Sequence, residues 1–226
     1  MASTAARTRV PSQDRAVRTR AALLDAARRE FSERGYAAAT AKSIAARAEV
    51  ATGSFYQYFE SKDAALLELA REHLALVADR SLALLEAPRP AGGNEAALAR
   101  RRMQAVVELV IEAHRDDPGL HAVLTERRHA CRELDAITAT GERALVARIA
   151  ALLARWRVQG DREAIAFVLF GMLEGSVHAH VLGDPVVDDA RFVAALVDAL
   201  LRVAMPAVAP ARAATERPRP RPGSPR

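Results

Sequence analysis

The sequence predicts an all-α protein, with an N-terminal helix-turn-helix domain followed by a larger helical domain. Half of its residues are apolar and only 11 are glycine, and Ala and Leu dominate, which is the composition of helices. Apolar residues recur every three or four positions along most of the chain. No run shows the alternation of apolar and polar residues that a half-buried strand requires.

The first three predicted helices are short and closely spaced. The first runs from about Arg18 to Arg34 and stops at Gly35, which suits a left-handed end position. Thr40 can cap a second helix, and a third covers about residues 51–59. Because only about three residues separate these last two helices, the pattern predicts a helix-turn-helix.

The rest of the chain keeps helical spacing between Pro and Gly breaks. The expected helices run from the cap Ser61 to about Glu86, from Asn94 to about residue 116, on to about Arg132, from about Thr140 to Val158, from the cap Asp161 to Leu182, and from Asp188 or Asp189 to Met205. We therefore expect a flexible basic arm at 1–17, a DNA-binding domain at 18–67, a ligand-binding and dimerisation domain at 68–205 and a disordered Pro/Arg-rich tail at 206–226.

The positive charge of the chain lies at its ends. Residues 1–20 and 206–226 each carry five Arg and one acidic residue, a net +4 at either end, so the net charge of +5 leaves −3 for residues 21–205. Basic tails add salt-dependent attraction to a polyanion but do not read a sequence. The body of the protein is therefore not a generally basic nucleic-acid binder.

We expect a cytoplasmic protein that does not enter a membrane. A single cysteine, Cys131, excludes an internal disulfide and fits a reducing compartment. The N-terminus lacks an apolar segment of signal-peptide length. The most apolar run, residues 164–173, is interrupted by Glu174 before it is long enough to span a bilayer.

The segment EVATGSFYQYFESKD, residues 49–63, gathers four aromatic residues in a chain where aromatics are 4%. Phe55 and Phe59 have core spacing. The second helix of a helix-turn-helix presents its N-terminal residues to the major groove, where small and polar side chains let base edges and phosphates approach. The candidate DNA contacts are Thr40, Lys42, Ser43, Thr52, Gly53, Ser54, Tyr56, Gln57, Tyr58 and Lys62.

With these residues, the segment 20–67 resembles the TetR family of bacterial transcriptional regulators. The resemblance rests on Gly35-Tyr36, Thr40, Ile44-Ala45, Ala48-x-Val50, Gly53-Ser54-Phe55-Tyr56-x-Tyr58-Phe59 and Lys62-Asp63. Two positions depart from the family pattern: Glu49 stands where glycine is usual in the turn, and Ala51 where a Ser cap is common. We therefore expect Glu49 to adopt a positive φ and the third helix to lack a side-chain cap.

The resemblance implies a homodimeric repressor that binds a palindromic operator in double-stranded DNA and is released by a small-molecule inducer. It also implies that the last two helices dimerise and that the fourth helix transmits ligand binding to the DNA-binding domain. Spacing by four allows close helix contact at Gly171, Gly175 and Ala179. The dimerisation candidates are these three with Phe192, Leu196 and Leu200.

Polar or bulky residues on apolar helix faces are the candidates for an inducer pocket. They are His73, Met103, His114, Phe167, Phe170, Glu174 and His178. Because the predicted walls carry few polar groups, a lipophilic inducer is expected. The sequence assigns no catalytic residue, no cofactor and no metal ligand, and it lacks the glycine-rich and nucleophile motifs of common enzyme classes.

Two alternatives stay open from the residues alone. A metal- or redox-responsive regulator would use the histidines with Glu174, or Cys131. A non-specific architectural DNA-binding protein would depend on its Arg-rich tails and would bind any duplex.

Overall fold

The computed structural model describes residues 12–88 and 94–205, and within these ranges the chain forms nine α helices and no strand. The all-α prediction is confirmed. The helices are α1 (Ser12–Ala38), α2 (Ala41–Arg47), α3 (Thr52–Tyr58), α4 (Lys62–Glu86), α5 (Glu95–Asp116), α6 (Pro118–Arg128), α7 (Arg132–Arg155), α8 (Arg162–Leu182) and α9 (Asp189–Ala204).

Side-chain caps fix most of the helix starts that the sequence predicts. Thr40 forms a capping box with Ser43, and Ser61 accepts a hydrogen bond from the Ala64 amide. Asp161 accepts from two first-turn amides of α8. These bonds satisfy backbone N–H donors that a helix start leaves unpaired. α2, α4 and α8 therefore begin where a polar side chain can replace the missing carbonyl.

Several helix boundaries differ from the prediction. Gly35 adopts a positive φ of 72°, but it forms a kink inside α1, which continues to Ala38. α1 begins at Ser12, within the expected flexible arm, and Asp14 in its first turn favours an earlier start. α6 ends at Arg128, and α7 begins at Arg132 rather than near residue 140. The spacing of apolar residues did not reveal the first turns of α7, because Leu134 is the only buried residue in them. The expected arm up to residue 11 and the expected tail at 206–226 lie outside the described residues.

Two hydrophobic cores hold the helices together. The first joins α1, α2, α3 and the first half of α4, and it also includes Leu120 and Val123 of α6 and Leu134 of α7. The second is built from α5, α8, α9 and the end of α7. The expected division near residue 67 stays a prediction, since α4 and α6 contribute to the first core from beyond it.

α6 lies tightly against α1, which brings the second half of the chain into contact with the first. A Cβ built on Gly119 would lie 2.2 Å from the backbone oxygen of Ser32. The Ser32 hydroxyl donates to Asp117, whose carboxylate also accepts from the Leu120 amide at 2.9 Å. The two helices therefore cannot move independently at this point.

α8 is the most apolar of the described helices. Within the described ranges it alone has the length and hydropathy that would suffice to cross a membrane, with a mean hydropathy of 1.6 over its most apolar window, 22% of which is buried. The helix has this length because it continues past the apolar run 164–173 to Leu182, as predicted, and one such helix is weak evidence of a membrane span. Helices that pack inside soluble proteins pass the same test, so its exposed apolar side needs its own explanation.

Candidate functional site

Two buried phenylalanines hold α3 against the first core. Phe55 is fully buried and Phe59 is 3% exposed, with their ring centroids 5.6 Å apart. They pack in the same cluster as Phe31 and Ile44, as their spacing of four predicts. Because this side of α3 is fixed against the core, the opposite side of the helix faces solvent.

The outer side of α3 presents small and polar residues together. Thr52, Gly53 and Gln57 are exposed, and Tyr56 keeps 58% of its surface accessible. Ser54 and Tyr58 are half-buried. Ala51 makes no side-chain cap bond, so the first amides of α3 have no side-chain acceptor within the chain. The structure brings these predicted DNA contacts onto one short helix.

The turn between α2 and α3 has the conformation that the sequence predicts. Glu49 adopts a positive φ of 56° and is exposed. Arg47 then ties α2 to α1, with its Nε 2.8 Å from Glu30 and its terminal nitrogens on Glu33. Burial opposes ionisation of Glu30, but hydrogen bonds from Ser43 and Arg47 outweigh it and lower the pKa of that carboxyl.

Of the remaining predicted contacts, Thr40 and Lys42 are exposed and Ser43 is half-buried at the start of α2. Lys62 lies differently: its Nζ donates to the carbonyls of Tyr36 at 2.7 Å and Ala39 at 2.9 Å. It also sits 4.1 Å from the centre of the Tyr36 ring. Two of its three N–H donors are thus used inside the chain, which makes Lys62 a residue that positions α4, and its phosphate contact stays a prediction.

A cavity of about 830 Å³ lies between α4, α5, α6, α7 and α8. Its walls are largely apolar, including Leu74, Val77, Leu145 and Phe170. One group of polar residues at the cavity consists of histidines with Glu174. The ion pairs of Arg128 with Glu142 and of Arg148 with Asp79 lie elsewhere on the wall. An apolar space with a few convergent polar groups is the usual form of a small-molecule site.

Five of the seven predicted pocket residues meet at this cavity, and two do not. His73, His114, Phe170, Glu174 and His178 all line it. Met103 lies in the second core, and Phe167 is 66% exposed because it points away from the cavity. The spacing of apolar residues predicts that Met103 and Phe167 lie on apolar helix faces, but it does not indicate which of these faces adjoins the cavity.

His121 also lines the cavity, and sequence reasoning missed it. Its ring stacks on His114 with centroids 4.3 Å apart and meets His73 edge-on at 5.0 Å. The only available signal was its position one residue after Leu120 in a short helix, which does not distinguish a pocket residue from a surface residue. Four histidines, on α4, α5, α6 and α8, therefore converge.

Burial and one carboxylate set the protonation of this group. Burial lowers the pKa of His73, and burial with the nearby His114 lowers that of His121 to about 4. Burial opposes the charged form of His114, yet the Glu174 carboxylate and the Val110 carbonyl outweigh it and raise its pKa. The pKa of the half-buried Glu174 is lowered despite its partial removal from water, because His114, His121 and His178 favour its ionised form. Near neutral pH, Glu174 is therefore an anion among imidazoles.

The proposed dimerisation residues separate into two groups. Gly171, Gly175 and Ala179 form an exposed stripe along α8, and a Cβ built on either glycine meets no atom within 4 Å. Leu196 and Leu200 are instead buried in the second core, where α9 packs on α5. Their assignment to a surface between chains is corrected, because the apolar side of α9 is used within its own chain.

Phe192 also turns inward. Its ring stacks on that of the buried His180, with centroids 4.0 Å apart. His180 Nε2 lies 2.9 Å from Asp189 of α9, and Arg115 of α5 pairs with the same carboxylate at 2.6 Å. These contacts join α5, α8 and α9 inside one chain.

Comparison with known families identifies both halves of the chain. Residues 23–69 match the profile of bacterial regulatory proteins of the tetR family, and residues 99–203 match that of the tetracyclin repressor-like C-terminal domain. No curated protein matches the sequence.

Solved structures share the fold at low sequence identity. A regulator of fatty acid degradation, FadR from Bacillus halodurans, is 22% identical, with a TM-score of 0.64, over 86% of this chain and 97% of that one. Reduced NemR from Escherichia coli is 20% identical, with a TM-score of 0.62, over 82% and 97% of the chains. A protein from Mesorhizobium loti described as a TetR-family regulator is 18% identical, with a TM-score of 0.65, over 84% and 98%.

Proposed function

The chain belongs to the TetR family of bacterial regulatory proteins, DNA-binding regulators of transcription, and we propose that it is a repressor that binds a palindromic operator as a dimer. A small molecule that occupies the cavity would release it from DNA. Such a regulator acts on chromosomal DNA and so works in the cytoplasm. The observation that carries the proposal is a recognition helix locked on one side and polar on the other, joined through packed helices to a large apolar cavity.

The DNA contact is assigned to the outer side of α3 with the start of α2. Thr52, Ser54 and Gln57 can reach base edges or phosphates, and Tyr56 offers a hydroxyl on a largely exposed ring. Gly53 carries no side chain, and among the described residues outside its own stretch of helix none lies within 4 Å of the place a Cβ would take. The backbone can therefore approach DNA closely at this position.

The dimer contact is assigned to the exposed stripe of α8. Val168, at 47% exposure, and Leu182, at 37%, extend the line of Gly171, Gly175 and Ala179. An exposed apolar helix side is a costly surface for a free monomer and a suitable one for a second copy of the chain. The glycines would let the two copies of α8 approach closely across a two-fold axis.

The cavity favours an inducer with an extended apolar body and a small polar group. Its volume of about 830 Å³ is within the range of drug-sized ligand sites. Apolar walls would bind the body through burial, while the histidines and Glu174 would bind the polar group. The fold is shared with a regulator of fatty acid degradation, which is consistent with a lipophilic ligand for this chain as well.

Coupling to DNA would run through α4 and α6, since both line the cavity and both enter the first core. His73 and Leu74 of α4 line the cavity, while Leu66 of the same helix is buried beside α1. His121 of α6 faces the cavity, while the neighbouring Leu120 is buried in the first core. A ligand would shift the equilibrium between a DNA-binding and a released conformation only by its difference in affinity for the two conformations.

The test is selection of bound sequences from random duplex DNA at physiological salt. Wild-type protein should recover a palindrome, and Tyr56→Ala should lose at least about tenfold in affinity for it, the discrimination of one good contact. Tyr56→Phe removes only the hydroxyl and keeps the edge-on contact of the ring with Phe55, so an equal loss of affinity in this variant assigns the effect to the hydroxyl and not to packing.

A chain limited to residues 12–205 separates the proposal from tail-driven binding. We expect it to select the same palindrome. If no sequence is enriched, and binding survives Tyr56→Ala but vanishes with the tails, the protein is a non-specific DNA-binding protein and the proposal is wrong.

A further inference from the structure

We propose that His114, Glu174 and His178 bind one divalent transition-metal ion, with a coordination position left open toward the cavity. One ligand atom from each of these residues lies within 4.8 Å of the others, in the part of the chain that the structure describes. The proposal rests on the proposed function only in that the ion would lie at the inducer cavity. Binding of the ion itself requires neither DNA nor inducer.

His114 is held as a metal ligand would be held. Its side chain is 4% exposed, and Nδ1 lies 2.9 Å from the carbonyl of Val110, so Nδ1 carries a proton and donates it. Nε2 is buried without a hydrogen-bond partner. It lies 3.5 Å from a Glu174 oxygen, close enough for attraction between charges but outside hydrogen-bond geometry. A histidine whose second nitrogen donates to a carbonyl is the usual arrangement in metal sites.

Glu174 and His178 complete the set from the neighbouring helix. They are one turn apart on α8, and helix residues four apart lie on the same face. In a tetrahedral site with metal bonds of about 2.1 Å, ligand atoms lie about 3.4 Å apart. The contact from His114 to Glu174 already has this separation, and side-chain rotation can bring His178 closer. The ion would therefore join α5 to α8.

The donor set selects the class of ion. Two imidazole nitrogens and one carboxylate oxygen suit Zn²⁺ and Co²⁺ and are a poor set for Mg²⁺ or Ca²⁺, which prefer all-oxygen sites. The anionic Glu174 also disfavours a ligand carboxylate at this position and favours a cation. Glu174 keeps 45% of its side chain accessible because it faces the cavity, and this leaves room for a water or a ligand atom on the ion.

His121 would act as a positioning residue. Its ring covers one face of the His114 ring, while the Val110 carbonyl holds the edge of that ring at Nδ1. Its own Nε2 is buried without a partner, so it adds no competing hydrogen bond to the three ligands. The His114 ring would thus meet the ion in an orientation that the packing has already set.

The experiment is metal titration of the untagged, full-length protein after removal of metal with a chelator. Zn²⁺ is added in competition with a chromophoric chelator, and Co²⁺ is followed by its visible absorption. We expect one ion per chain and the intense absorption of four-coordinate Co²⁺. His178→Gln and Glu174→Gln should each weaken Zn²⁺ binding more than about 100-fold, beyond the loss typical of an outer-shell contact.

His129→Gln is the matched control, because it removes an exposed histidine that is outside the cluster. It should leave affinity, stoichiometry and Co²⁺ spectrum unchanged. Because His114→Gln alters a buried residue, the two α8 variants, checked by circular dichroism, decide the test. Substoichiometric binding, a six-coordinate Co²⁺ spectrum, or equal loss in His129→Gln would overturn the proposal. A failed operator selection with intact Zn²⁺ binding would instead count against the repressor alone.

Discussion

Gly175→Arg should convert the proposed dimer into a folded monomer that no longer binds the proposed operator. In one chain the new side chain has free space, because a Cβ on Gly175 meets no atom within 4 Å. Arg is also a better helix former than Gly by up to about 1 kcal/mol. The unfolding free energy of the separated chain should therefore stay the same or rise slightly.

At a contact between two chains, the same substitution should be destabilising. A side chain forced into a packed contact costs about 1–3 kcal/mol, and a two-fold axis makes each substitution count twice. The total of about 2–6 kcal/mol corresponds to an increase in the dimer Kd of about 30-fold to about 10⁴-fold. Repulsion between the two Arg side chains at the two-fold axis would raise the dimer Kd further.

Sedimentation velocity over a range of protein concentrations measures this change, and thermal unfolding monitors the fold. Ala151→Arg, on an exposed position of α7, is the control and should remain dimeric. Gly175→Ala should have an intermediate effect. The reasoning is refuted if wild type is a monomer, if Gly175→Arg dimerises with an unchanged Kd, or if the variant unfolds.

Three further substitutions test the packing around the DNA-binding helices. Gly119→Ala should destabilise the chain by at least about 3 kcal/mol, a fall in Tm of about 6–12 °C, because its Cβ would meet the backbone of Ser32; Gly53→Ala, with no atom nearby, should change Tm little. Lys62→Met should lower Tm but leave the slope of log affinity against log salt unchanged, whereas a phosphate contact would reduce that slope by about 1. Glu30→Gln should lower Tm at neutral pH, because it removes the charge that pairs with Arg47. Since the pKa of Glu30 in the folded chain lies below its ordinary 4.5, the difference in Tm from wild type should shrink as pH falls below about 4.5 and vanish once wild-type Glu30 is protonated. A difference in Tm that persists at that low pH would contradict the prediction.

Much of the DNA-binding half could be predicted because its signals are local. The cap at Thr40, the spacing of Phe55 and Phe59 and the positive φ of Glu49 each depend on residues a few positions away. Such interactions span one or two helical turns, so the printed sequence contains all of their partners. The position of the Lys62 side chain was harder to predict, since its acceptors, the carbonyls of Tyr36 and Ala39, lie at the end of α1 and just after it.

The C-terminal half was less predictable because the residues around its cavity are brought together by packing. His73, His114, His121 and Glu174 are on four different helices, and neither spacing nor composition shows that they meet. The same holds for α8 and α9: both have apolar sides, and only the docking of α9 on α5 decides that Leu196 is internal while the α8 stripe is exposed.

The sequence by itself thus determined the helical class, the helix-turn-helix and most of the caps, since hydrogen bonds and side-chain contacts within a turn are encoded by near neighbours. The tertiary structure alone decided which apolar face each helix buries, where the cavity opens and which polar groups converge there. Those outcomes depend on contacts between residues as far apart as Ser32 and Asp117, whose proximity arises only when complementary helix surfaces pack.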